Sequence, residues 1–230
     1  MANLTQLKML EELDGFLLVD KPAGIAFSSV VKAVKRKFNL VKVGHGGSLD
    51  ASASGLFILL INDANKFVGD VMGANRVYEG VMRLGIKTNT HDVQGETLAT
   101  CDIEPLRAEL PAKIATVIPE FKGDIFQTES QWCSVRREGS AAYEIADTGE
   151  HKPFMTHVFK LSVGELSGER LPFEVSGTKG LIVRTLVNDF GEALGCGAAL
   201  ETSEFSSALA SPSPATVNRP AASASSLVQD

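Results

Sequence analysis

The sequence predicts one mixed α/β domain, and three observations lead to that class. Two short apolar runs, residues 16–19 ("FLLV") and 56–61 ("LFILLI"), have the length and continuity of buried strands. Two longer segments, "GIAFSSVVKAVKRKFN" and "RTLVNDFGEALG", repeat their apolar residues at helical spacing. Strands, helices and long polar loops then succeed one another without an internal repeat, in a chain of 230 residues that is 44% hydrophobic, enough to fill a core.

The first strand is stopped by Asp20-Lys21-Pro22. In the helix that follows, Ser28 or Ser29 is expected to supply the N-cap oxygen. Val30, Val31, Val34 and Phe38 form its inner face, and Lys32 and Arg36 stand outside. A glycine-rich loop, "GHGGSLDASASG", leads into the second strand, and a helix is expected from about Asp63. "RVYEGVMRLG" alternates as a strand, with Tyr78, Gly80, Met82 and Leu84 on one side and Val77, Glu79, Val81 and Arg83 on the other. "IKTNTHDVQGE" reads as a loop with turn residues Asn89, Asp92 and Gly95. A helix is expected between Leu106 and Ile118, ending by Pro119, and residues 157–183 read as glycine-punctuated strands. In the last helix Leu186, Phe190 and Leu194 recur at helical spacing, with Gly195 as C-cap. From about Ser206 the chain turns Ser/Ala/Pro-rich, with too few large aliphatics to offset its chain entropy. The expected organisation is therefore a domain over residues 1–205 and a disordered tail over 206–230.

Composition narrows the function classes. The net charge is −6, which argues against non-specific nucleic-acid binding by the whole surface. Yet between Lys21 and Leu49 there are six cations (Lys21, Lys32, Lys35, Arg36, Lys37, Lys42) and no acid, a patch able to guide a polyanion locally. No apolar run approaches the roughly 20 residues that cross a bilayer, and the N-terminus lacks the apolar core of a signal peptide. Cys101, Cys133 and Cys196 are scattered singly, as reduced thiols of a cytoplasmic protein would be. The four histidines form no metal-spaced cluster with cysteines or carboxylates, so no metal site is expected.

One stretch asks for more than a turn. In "GHGGSLDASASG" a lone carboxylate, Asp50, stands among four glycines and three serines, just ahead of an apolar strand. The elements "GFLLVDKPAG", a basic helix, "VGHGGSLDASASGLFIL", "NRVYEGVMRLGIKTNTHDVQG" and "TKGLIVRTLVNDFGEALGCGA" occur in the order and spacing of a known family. Together they resemble the TruB-type pseudouridine synthases, which isomerise a uridine in the T-loop of transfer RNA (position 55 in tRNA numbering). The resemblance runs from about Gly15 to Ala199 and takes in the segment "FKGDIFQTESQWCSVRREGSAAYEIADTGE". It implies a pseudouridine synthase-like catalytic domain, a central mixed β-sheet with flanking helices, that acts without cofactor or metal.

The resemblance also assigns roles. Asp50 is the nucleophilic carboxylate. Arg184, at the start of the last helix, is the cation that keeps it ionised. Tyr78 is the residue on which the target uracil stacks, and the base for the sugar proton. His45 is placed near the extruded nucleotides, with an ordering hydrogen bond to its own loop as the alternative. Lys21, Lys66 and Lys179 are candidates for phosphate contacts. The chain also departs from the family pattern. Gly46 stands for a threonine, Ala51 for a proline, Trp132 and Arg136 for an aromatic and a lysine, and Ile182 for a pocket tyrosine. Ser203 holds a leucine position, beside Glu201 and Glu204 where cations are usual, and the family's C-terminal PUA-type domain has no counterpart. The leading expectation is a standalone, monomeric tRNA pseudouridine synthase gripping the tRNA elbow. The alternatives are a catalytically impaired module that binds and folds tRNA, and a synthase for another RNA.

Overall fold

The computed structural model describes residues 14–128, 152–209 and 222–223. The described residues form two compact units, one within 1–75 and 204–230 and the other within 76–203.

In the first unit β1 (Gly15–Lys21) and β3 (Ser54–Ile61) pair antiparallel, with Val19 opposite Phe57 and Lys21 opposite Gly55. β2 (Val43–His45) takes the other edge of β3, with His45 opposite Leu59. Ala222 and Ser223 (β11) lie parallel to β1. Helix α1 (Phe27–Lys37) buries Val30 and Val34. Its cap lies two to three residues ahead of the expected serines: Ala26 is the N-cap residue and has no polar side chain to offer, while Ser28 and Ser29 are exposed in the first turn. Its three last-turn cations, Lys35, Arg36 and Lys37, complement the negative end of the helix dipole. The helix expected from Asp63 is a 3-10 turn (Asn62–Phe67) followed by the short α2 (Val68–Gly73).

The far end of β10 (Ala198–Leu209) enters this unit at Glu204 and Phe205, parallel to β3 and opposite Ser54 and Gly55. Gly55 has φ +101°, and a Cβ there would lie 2.5 Å from the Phe205 carbonyl oxygen. Gly55→Ala is therefore expected to cost about 1–3 kcal/mol, read as a lower midpoint in urea unfolding at unchanged slope.

In the second unit β4 (Asn75–Leu84), β9 (Arg170–Gly177), β8 (Phe154–Val163) and β7 (Gly123–Gln127) pair antiparallel in that order. Tyr78, Met82 and Leu84 are buried on β4, as alternation predicts. Gly80 shares that face because a Cβ there would run into the Thr202 carbonyl of β10 and the Phe173 ring. The expected loop after β4 is instead a small hairpin of β5 (Ile86–Thr88) and β6 (Thr97–Thr100), with the turn between them. α3 (Leu110–Val117) ends in a 3-10 turn at Ile118–Phe121 that contains Pro119. α4 (Val183–Leu194) is capped by Gly195 in the left-handed conformation, as expected. Phe190 of α4 meets Phe121 edge-on at 5.4 Å, and Leu186 and Leu194 are buried with it.

Candidate active site

The loop over residues 46–53, which carries Asp50, closes the β2–β3 pair and is pinned at nearly every residue. Gly46 donates its N–H to the Ile58 carbonyl at 2.8 Å. Gly46 has no room for a side chain, since Val71 of α2 occupies the place of a Cβ. Leu49 and Ala53 are buried anchors on either side of the half-buried Asp50. His45 Nδ1 lies 2.8 Å from the Gly47 carbonyl, and its ring packs between Phe27 and Phe57 at 5.0 and 6.0 Å. The histidine thus orders the loop in the way its alternative reading supposed.

Lys21 is the group that sequence reasoning misplaced. It is 0% exposed. Its Nζ donates to the carbonyls of Ala53 at 2.5 Å, Pro22 at 3.0 Å and Ala51 at 3.3 Å. An ammonium has three protons, and all three are engaged by backbone carbonyls, two of them in the loop just after Asp50. No phosphate contact is left to it, so Lys21 is a buried strut of the loop. The signal was in β1, where period-two alternation puts Lys21 on the inner face with Val19. Burial holds its pKa below the usual lysine value, and the negative charge of Asp50 pulls partly against that shift. Gly24 N–H adds a 2.7 Å bond to the Ala51 carbonyl. Lys21→Met should orphan these carbonyls and lower stability by about 1–3 kcal/mol, measured by urea unfolding. Lys21→Arg should not restore it, because a planar guanidinium cannot reproduce three converging donors.

The second unit carries the other two central candidates. Tyr78 is 8% exposed in the middle of β4, opposite Val175. Arg184 sits in the first turn of α4, is 5% exposed, and donates from Nη1 to the Thr90 carbonyl at 3.0 Å. It is therefore an inward-facing arginine. The start of α4 is set by Gln127, a residue the sequence did not single out. The Gln127 side chain accepts from the Ile182 N–H and donates to the Ile182 carbonyl, both at 3.0 Å. Gln127 is buried, and this pairing satisfies the N–H of the N-cap residue Ile182, one of the donors a helix start leaves open. Ile182 itself is half-buried and Ser203 is buried on β10.

The remaining candidates lie at the surface or beyond the described residues. Lys66, its side chain 64% exposed, is 3.9 Å from Asp63 and lies over the Phe67 ring. Lys179 is exposed in the turn before α4. Arg136 and Trp132 lie outside the described residues. Glu201, one of the acids noted near the end of the motif, is held by Arg170 through bonds of 2.8–2.9 Å. Among the described residues no group of His, Cys, Asp or Glu could hold a metal ion, and no helix is long and apolar enough to cross a membrane.

Three comparisons bear on these residues. Residues 35–183 match the model of the TruB family pseudouridylate synthase N-terminal domain. The tRNA pseudouridine synthase B of Dechloromonas aromatica (strain RCB) is 35% identical over 193 residues, covering 83% of this chain and 63% of the relative. The enzyme of the same name from Burkholderia pseudomallei (strain 668) is 38% identical over 191 residues, covering 82% and 62%. The chain thus spans a little under two thirds of the length of these relatives. Among solved structures, a chain of a Cbf5-Nop10-Gar1 complex superposes with a TM-score of 0.65 at 25% identity, covering 88% of this chain and 50% of that one.

Proposed function

The chain belongs to the TruB family of pseudouridylate synthases, and from that premise we propose that it isomerises the T-loop uridine of tRNA to pseudouridine. The observation that carries the reading is the Asp50 loop. A fully buried ammonium, a histidine and a glycine N–H are all committed to holding one short segment whose single acid is Asp50. A turn-forming aspartate does not need that support; a carboxylate that must meet a reacting atom does, because small displacements cost large factors in rate.

The reaction detaches uracil from ribose, turns it, and rejoins it through carbon. It is redox-neutral, so acid, base and nucleophile suffice. In this reading Asp50 is the nucleophile, on sugar or base. Tyr78 offers its ring to the extruded uracil, a contact worth about 1–3 kcal/mol, and its hydroxyl to the sugar proton. Arg184 keeps the nucleophile ionised. Lys66 and Lys179, both exposed, serve the phosphates, and the protein works as a single chain in the cytoplasm. A second reading, a module that binds and folds tRNA without isomerising it, is favoured by Ile182 at the position of the family's pocket tyrosine.

The test is tritium release from tRNA labelled at uridine C5, because forming the carbon–carbon bond expels the hydrogen there. The expected result is release from intact tRNA and none from a transcript whose T-loop uridine is replaced by cytidine. Tight, salt-sensitive tRNA binding without release would select the second reading.

A further inference from the structure

The turn between β5 and β6 is tightly specified by its own side chains. Thr88 Oγ1 donates to the Asp92 carbonyl at 2.7 Å, and Thr90 Oγ1 to the Asp92 carboxylate at 2.8 Å. Gln94 N–H binds the same carboxylate at 3.0 Å. On the side of β10, Leu200 N–H donates to the His91 carbonyl at 2.9 Å and Val93 N–H to the Leu200 carbonyl at 3.0 Å. The His91 carbonyl is therefore anchored. The Thr90 carbonyl, one peptide earlier, accepts from Arg184.

One rotation joins the anchor to the arginine. His91 has φ +64°. With its own carbonyl held by Leu200, the orientation of the preceding peptide depends on that angle. A return to the ordinary negative region would swing the Thr90 carbonyl by about 120°, away from Arg184. Few residues tolerate this conformation; glycine does, and asparagine, aspartate and histidine are the side chains that do so best. The charged groups around the ring are Arg184 and Glu192 of α4, Lys87 of β5, and Asp92 beside it. Its Nδ1 is shielded from solvent and makes no hydrogen bond among the described residues. Burial first, then Arg184 and Lys87, push the imidazole down to about 4, so it is uncharged at neutral pH.

We propose that His91 is a positioning residue for Arg184: its left-handed backbone aims the Thr90 carbonyl at the guanidinium, and its uncharged ring adds no opposing cation. The proposal rests on the role given to Arg184 above. It requires a residue at 91 that is both tolerant of positive φ and neutral, which asparagine satisfies and lysine and valine do not.

The test compares wild type with His91→Asn, His91→Lys and His91→Val in tritium release and in acid unfolding. His91→Asn should keep turnover within about threefold of wild type, since it meets both requirements. His91→Lys and His91→Val should each lose at least about tenfold in kcat, with KM for tRNA little changed. The unfolded histidine binds its proton below about 6.5 and the folded one only below about 4. Wild-type stability is therefore fullest above the upper value and falls as pH drops towards the lower one; His91→Asn should lack that share of the loss. A folded His91→Lys as fast as wild type overturns the proposal, even if the valine variant fails to fold. An acid profile unchanged in His91→Asn overturns the buried neutral ring on which it stands. A wild type that releases no tritium removes the catalytic reading of Arg184, and this proposal with it.

Discussion

Asp50→Asn is expected to reduce tritium release by at least about four powers of ten, the scale on which enzymes lose turnover when a nucleophile is removed. The substitution keeps the size and planarity of the side chain, so the loop should stay in place. Its backbone is held from outside the side chain, by Lys21, Gly24 and the Ala53 N–H on the Asp50 carbonyl. On the proposed function, binding of tRNA should be equal or slightly tighter, since one negative charge is removed beside a polyanion. Loss of release with binding intact makes Asp50 the nucleophile. Release at the wild-type rate makes it a turn residue.

The second large effect is expected at Arg184. Arg184→Met approximates the volume of the side chain and removes its charge. If the cation serves to keep the nucleophile ionised, kcat should fall by roughly two to four powers of ten, the rate equivalent of losing one member of a buried ion pair. Arg184→Lys should recover little, because the donor to the Thr90 carbonyl is one arm of a rigid fork that an ammonium cannot imitate. Arg184→Met also removes the donor to that carbonyl, so some stability should be lost as well, about 1–3 kcal/mol. Single-turnover rates and urea midpoints measured side by side separate the two. An arginine that served only to fill and tie the fold would move the midpoint and leave the rate of the folded fraction alone.

Much of the architecture was legible because it depends on neighbours in sequence. The alternation of β4 put Tyr78, Met82 and Leu84 inside, and helical spacing with Gly195 marked the end of α4. The helix at Asp63 was less legible: a tight 3-10 turn and a short helix share the composition of one longer helix. The β5–β6 hairpin was read as loop because its strands are three and four residues long, too short for period two to register. The site divides along the same line. Asp50, Tyr78 and Arg184 stood out through a family pattern in the chain. The supports did not, because each acts across a long sequence separation: Lys21 on Ala53, Gln127 on Ile182, and the Thr90 carbonyl on Arg184.

By itself, then, the sequence determined the mixed α/β class, the order of most elements, the family and the candidates proposed for its chemistry. All of these rest on short-range periodicity or on a motif that can be read in order. Only the tertiary structure decided that Lys21 is a strut and not a phosphate contact. It alone placed Arg184 inward on a backbone carbonyl and set His91 in a left-handed turn beside it. The physical reason is that a lysine or arginine has one meaning in sequence and two in space. A cation on an alternating strand or in a first helical turn is solvated when its face meets water. It becomes part of the framework when that face meets carbonyls brought in from 30 or 94 residues away.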